Sequence, residues 1–180
     1  MTDSLFKLPG YLIKYLRSED TIDLRTLLEK CADYSLLVTG SLPKSSAAPS
    51  LLVDRPDGKT LDDKFVFGIF TRQKELIGVL DVLRDYPAQH DWWLGLLLFD
   101  PRVRGQGLGQ RVYGAFEQWV SRQGARCVYL GVVEENHRAY QFWQMLGFEE
   151  VKRHEAMRAG NAKHVVIVML RVLTKKSTGV

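Results

Sequence analysis

Glycines at alternate positions, Gly105, Gly107 and Gly109, sit within FDPRVRGQGLGQRV (99–112) among Arg102, Arg104 and Arg111. They follow an apolar run, WWLGLLLF (92–99), and open a segment of helical periodicity. A strand that ends in a glycine-rich turn and passes directly into a helix leaves several backbone N–H groups unpaired, with the positive end of the helix dipole behind them. That is an anion cradle. Absent β-carbons let a phosphate reach the amides, and glycine permits the positive φ such a turn needs. A P-loop would end in Gly-Lys-Ser/Thr, whereas Gly109 is followed by Gln110 and Arg111, so that reading fails. A dinucleotide fingerprint needs G-x-G-x-x-G after an early strand; here the spacing is G-x-G-x-G and three strand-like runs precede it. Tight packing alone would explain one glycine, but not three among arginines.

The elements that must hold this cradle can be read along the chain. An extended start (11–16) precedes a helix capped by Ser18, with Ile22, Leu24, Leu27, Leu28 and Cys31 at three- and four-residue steps, ending near Asp33. Small, polar and proline-punctuated sequence over 41–64 reads as a mobile connection. Runs at 65–70, 76–83 and 92–99 read as strands joined by hairpin-length connectors. After the glycines, Leu108, Val112, Ala115, Phe116, Trp119 and Val120 fall on one helical face that stops at Gly124. CVYLGVV (127–133) reads as a buried strand, and Asn136 caps a helix closed by Gly147. The order strand, helix, strand, helix predicts a parallel pair there. Strands near 148–153 and 165–172 are expected to pair across the NAKH turn, and 174–180 reads as a disordered tail.

Composition sets the outer bounds. The 180 residues, 46% hydrophobic and 11% aromatic, suit one domain with a substantial core. No membrane span or signal core is legible, so the expectation is a soluble, cytoplasmic protein. Cys31 and Cys127 lie far apart without ligand or redox spacing, and no metal is called for. A net charge of +4 and a pI near 9.1 permit an anionic ligand. Nucleic acid is not indicated, because no stacking aromatics interleave with the arginines of 102–111.

Arg104-Gly105-Gln106-Gly107-Leu108-Gly109 resembles the Arg/Gln-x-x-Gly-x-Gly/Ala signature of the GNAT superfamily of acyl-CoA-dependent N-acyltransferases. Asn136-x-x-Ala139-x-x-Phe142-Trp143-x-x-x-Gly147-Phe148 is similar to its second signature, and the specific resemblance covers 92–151. It implies an α/β fold of one domain over 1–180, a mixed, mostly antiparallel sheet flanked by helices, with a central parallel strand pair splayed at the cofactor site. It implies that acetyl-CoA lays its diphosphate on the amides of Arg104, Gly105, Gln106, Gly107, Leu108, Gly109 and Gln110. The pantetheine arm would run along Leu97, Leu98 and Phe99, with Asn136 and the position of Trp143 beside it. Arg102, Arg104, Arg111 and Arg138 are candidates for the ribose phosphate.

Transfer of an acetyl group to a primary amine needs a deprotonated amine, a polarised carbonyl and a stabilised thiolate. The resemblance places the carbonyl on a backbone N–H near Leu97 or Leu98. The family commonly puts an acidic tyrosine where Trp143 stands, and an indole cannot give up its proton at useful cost. Tyr140, one turn earlier, is the substitute candidate. Asp91 and Asp81 are the candidate bases: a hairpin turning at 86–88 would bring them to one face as neighbours, which would raise one pKa. Each also reads as an ordinary turn or strand residue. Glu134 and Glu135 could meet a cationic acceptor, and Asp33, Asp54, Asp57, Asp62 and Asp63 could form an acidic mouth. A polyamine, an antibiotic, an amino acid and a protein lysine all remain open as acceptor. The alternative function is an acyl-CoA-binding regulatory module without catalysis, which Trp143 favours, and the resemblance admits a homodimer.

Overall fold

The computed structural model describes residues 6–173; the tail expected at 174–180 lies outside them. The chain runs β1 (Leu12–Tyr15), α1 (Thr21–Lys30), α2 (Ala32–Thr39), α3 (Ala47–Val53), β2 (Lys64–Phe70), β3 (Leu76–Arg84) and β4 (Asp91–Phe99). It continues with α4 (Leu108–Arg122), β5 (Cys127–Val133), α5 (His137–Met145), β6 (Glu149–Ala159) and β7 (Ala162–Val172). These strands form one seven-stranded sheet in the order β1-β2-β3-β4-β5-β7-β6. Within it β4 and β5 are parallel and the other neighbours antiparallel. The parallel step follows from α4, which carries the chain over one face and returns it alongside β4.

Each face of the sheet has its own core. On one, α4 buries Leu108, Val112, Tyr113, Phe116, Trp119 and Val120 against Phe67, Leu80, Trp92, Val128 and Leu130. Full burial of one such side chain contributes about 1.5–3 kcal/mol, and the rings of Phe67, Trp92, Phe116 and Trp119 meet edge-on at 5.4 to 6.0 Å. On the other, α1 and α3 bury Leu24, Leu27, Cys31 and Ala48 against Val66, Phe70, Val79 and Leu98.

The helix expected from Ser18 to Asp33 is instead a short 3-10 turn followed by two helices that break at Cys31. Asp20, not Ser18, organises its start: the buried carboxylate accepts from Arg17 N (2.9 Å) and from Lys14 Nζ (2.6 Å). The stretch read as connection over 41–64 contains α3, because Ala48 packs into the second core. The last hairpin is longer than expected, and NAKH is mostly strand: β6 and β7 turn at Gly160 and Asn161.

Candidate functional site

The parallel pair does not stay paired. Asp91 to Leu94 of β4 lie opposite Cys127 to Leu130 of β5, but β4 continues to Phe99 and β5 to Val133 without further pairing to each other. The two strands therefore diverge from Gly95 onward. The edge so exposed can be identified from the ladder on its other side. Asp100 N donates to Ile77 O (2.9 Å), and hydrogen-bonding residues alternate along an antiparallel strand. Leu98 thus faces β3, and Leu97 presents its N–H and C=O to the gap. Leu98 corrects the sequence reading: its backbone belongs to the β3 ladder and its side chain to the second core. Phe99 corrects it too, since its carbonyl already accepts from Arg104 Nε (2.7 Å) and Cys31 Sγ (3.3 Å).

The glycine turn lies directly beyond. Gly105 and Gly107 take φ of +75° and +74°, where a β-carbon is strained. Among the described residues nothing accepts from the backbone N–H groups of Gly105, Gln106, Gly107, Leu108, Gly109 and Gln110. Six consecutive donors at the N-terminus of α4 make a nest for an anion. A β-carbon at Gly107 would meet nothing within 4 Å, so the turn is open there; one at Gly109 would come within 3.2 Å of Phe142, so that glycine serves packing.

Arg104 is a correction. Its own N–H bonds Pro101 O, and its guanidinium clamps Asp33 through 2.5 and 3.2 Å bonds, so it ties α2 to the end of β4 rather than lining the nest. Arg102 is held by Asp100 (2.7 Å) and by Glu75, and Arg111 bonds Pro9 O (2.8 Å) beside the Tyr11 ring. The Arg102 hydrogen bonds hold the Asp100 carboxyl far below the usual carboxylate range. Arg138 differs from these. Its Nη2 lies 3.9 Å from where a Gly105 β-carbon would be, and it forms no ion pair among the described residues.

The two candidate bases separate. Asp91 starts β4 and Asp81 pairs opposite Leu96, so they are not neighbours, and six residues of strand place Asp91 about 20 Å from Leu97. Asp91 is buried beside Arg126 at 3.4 Å, a structural pairing. Asp81 stands next to the divergence: its Oδ2 would lie 2.9 Å from a β-carbon at Gly95, and it bonds Lys64 Nζ at 2.8 Å. Burial pushes the Asp81 carboxyl up, with Lys64 opposing. Lys64 carries no recognisable motif; the antiparallel register of β2 on β3, which sequence spacing does not reveal, delivers it.

Tyr140 is not aimed at the nest. Its hydroxyl meets Glu150 Oε2 (3.4 Å) and Gln144 Nε2 (3.2 Å) on the α5–β6 surface. Trp143 is likewise a correction, being buried among Tyr113, Phe142 and Phe148 with centroids 4.8 to 5.6 Å away. Asn136 behaves as read: Oδ1 accepts from Ala139 N (3.1 Å), which leaves the amide NH₂ uncommitted to the cap. Of the residues expected at an acidic mouth, Asp33 pairs with Arg104 and Asp63 lies near Lys59 and Arg84; the two glutamates before α5 are paired as well, Glu134 with Arg153 and Glu135 with His164. Among the described residues no group of acidic, cysteine and histidine side chains could hold a metal ion, and no helix is long and apolar enough to cross a membrane.

Comparison with known proteins bears on the family and the fold. The model of the acetyltransferase (GNAT) family matches residues 25–148. An acetyltransferase from Thermus thermophilus is similar with a TM-score of 0.74 and 24% identity, over 92% of this chain and 99% of that one. The ribosomal-protein-S18-alanine N-acetyltransferase of Escherichia coli gives 0.68 and 14%, over 94% and 98% of the two chains. Spermidine N-acetyltransferase from Vibrio cholerae, in complex with CoA and spermine, gives 0.70 and 15%, over 91% and 95%. At these identities the likeness is one of fold. No match is found among proteins of curated function.

Proposed function

The chain belongs to the acetyltransferase (GNAT) family, and from that premise we propose that it transfers the acetyl group of acetyl-CoA to a primary amine by direct attack. The observation that carries this reading is the run of six unpartnered amides, Gly105 to Gln110, placed just past a strand edge that its parallel neighbour has vacated. The nest takes the diphosphate, and Arg138 adds a cation at its rim. An extended, amide-bearing arm then adds to the free edge of β4 as a further strand would. The V. cholerae relative, solved with CoA and spermine, supports a coenzyme A donor and an amine acceptor.

Bound acetyl-CoA supplies an activated acyl thioester. The chain's own part is electrostatic and positional. The Leu97 N–H, directed into the gap, donates to the carbonyl oxygen and stabilises the charge that develops there. Asp81 takes a proton from the incoming ammonium, directly or through one water. Its raised pKa suits a base that must part with that proton again, and Lys64 keeps enough of it ionised. Asn136 Nδ2 remains available to the arm while Oδ1 caps α5.

A screen of primary amines of several classes, with free thiol release as the readout, tests the proposal. Thiol release that depends on both acetyl-CoA and one amine class supports it. Tight coenzyme A binding with no release for any amine would favour the non-catalytic module, for which the burial of Trp143 speaks.

A further inference from the structure

Among the described residues, the side chains first expected to protonate the departing sulfur are engaged elsewhere. Trp143 is buried in the α4–α5 core, and the Tyr140 hydroxyl is engaged by Glu150 and Gln144. Cys31 is committed as well, donating its S–H to Phe99 O.

A different tyrosine stands at the divergence. Where α1 breaks into α2, Cys31 touches the carbonyl of Phe99, the last residue of β4, and Asp33 holds Arg104, which immediately precedes the nest. Tyr34 follows in the same turn, its N–H bonded to Cys31 O at 3.0 Å. These two flanking contacts hold the turn that carries Tyr34 against the free strand end and the residue before the nest. Its ring packs, with Leu96, against the buried cluster that contains Leu98. That is the face of the sheet opposite α4, and Asp81 stands on it in register with Leu96. The Tyr34 hydroxyl forms no hydrogen bond with any described residue. The residue is only partly buried and its hydroxyl is not sealed from solvent, so a ligand can reach it without the loss of a protein hydrogen bond.

Resting on the reading of the chain as an acetyl-CoA-dependent acyltransferase, we propose that Tyr34 is the catalytic acid, donating its hydroxyl proton to the coenzyme A sulfur. The amine nitrogen forms a bond to the acyl carbon, the carbon–sulfur bond breaks, and the sulfur takes the Tyr34 proton. The proton shed by the acylated nitrogen returns through solvent to the phenolate. Amine and thioester thus become amide and thiol with Tyr34 regenerated. Burial pushes the Tyr34 phenol up, so it stays protonated until the thiolate forms. The break at Cys31 is then functional: a continuous helix would carry position 34 away from the strand end.

The test uses calorimetry with coenzyme A and with desulfo-coenzyme A, on the wild-type protein and on Tyr34→Phe. A hydrogen bond of ordinary strength makes the wild type prefer coenzyme A by about 5-fold, and Tyr34→Phe abolishes that preference. With the amine found in the screen, Tyr34→Phe lowers kcat at least about 30-fold with KM for acetyl-CoA within about 2-fold. Retention of the preference by Tyr34→Phe, or equal binding of both compounds by the wild type, overturns the role of Tyr34 alone. A wild-type protein that binds neither compound overturns the acyltransferase reading beneath it.

Discussion

The two halves of β4 come from one apolar run, WWLGLLLF, and do opposite things. Asp91 to Leu94 hydrogen-bond to β5 and bury Trp92 and Leu94 in the aromatic core. Gly95 to Phe99 keep β3 on one side but lose β5 on the other. The first half is a foundation, and the second offers the free edge along which the coenzyme A arm is proposed to lie. The divergence coincides with a register shift after Asp81, opposite Gly95, where Asp81 fills the space a side chain would need. An irregularity in the pleat thus separates scaffold from site over a few residues.

Five substitutions can break or sharpen that contrast. Asp81→Asn removes the proposed base from the open half, and kcat is expected to fall about 100-fold at unchanged coenzyme A affinity. Because burial raises the Asp81 pKa, the acid limb of the pH–rate profile should lie above the ordinary carboxylate range. Lys64→Met removes the group that opposes that rise, so the limb should move further up; a profile that ignores both changes would exclude Asp81. Gly107→Val puts a β-branched residue at a φ of +74° and fills the cradle, and titration calorimetry should show coenzyme A affinity down by about 50-fold. Arg138→Ala should weaken the same binding by about 5-fold, with a shallower salt dependence, since an exposed cation acts through a screened field. Asp91→Asn, in the paired half, should change kcat by less than about 2-fold while lowering the melting temperature through the lost Arg126 contact. A large activity loss there would erase the distinction between the halves.

The residues that were legible act through their own backbone or their immediate neighbours. Alternate glycines before a helix, a capping asparagine and an amphipathic α4 each announce themselves locally; the parallel step followed from them, and of the amides expected free over 104–110 those from Gly105 on have no partner among the described residues. What stayed hidden depends on register and on partners distant in the chain. Asp81 and Asp91 looked like neighbours under plain alternation, but the shift after Asp81 and the position of the hairpin turn moved them apart. Arg104 carried the family signature, yet Asp33, 71 residues away, determines what its side chain does. Trp143 departs from the expected tyrosine, and only the packing of α5 on Tyr113 and Phe148 reveals it as core. The break at Cys31 was invisible because Leu24, Leu27, Leu28 and Cys31 keep helical spacing up to it.

The most direct test is a two-dimensional nitrogen–proton spectrum of the labelled protein during titration with coenzyme A. The largest shifts should fall on the amides of Gly105 through Gln110 and on Leu97, with Asp91 to Leu94 nearly still. If the nest amides stay unmoved at saturation, or if the paired half of β4 responds as strongly as the open half, the division of this strand into foundation and free edge is wrong.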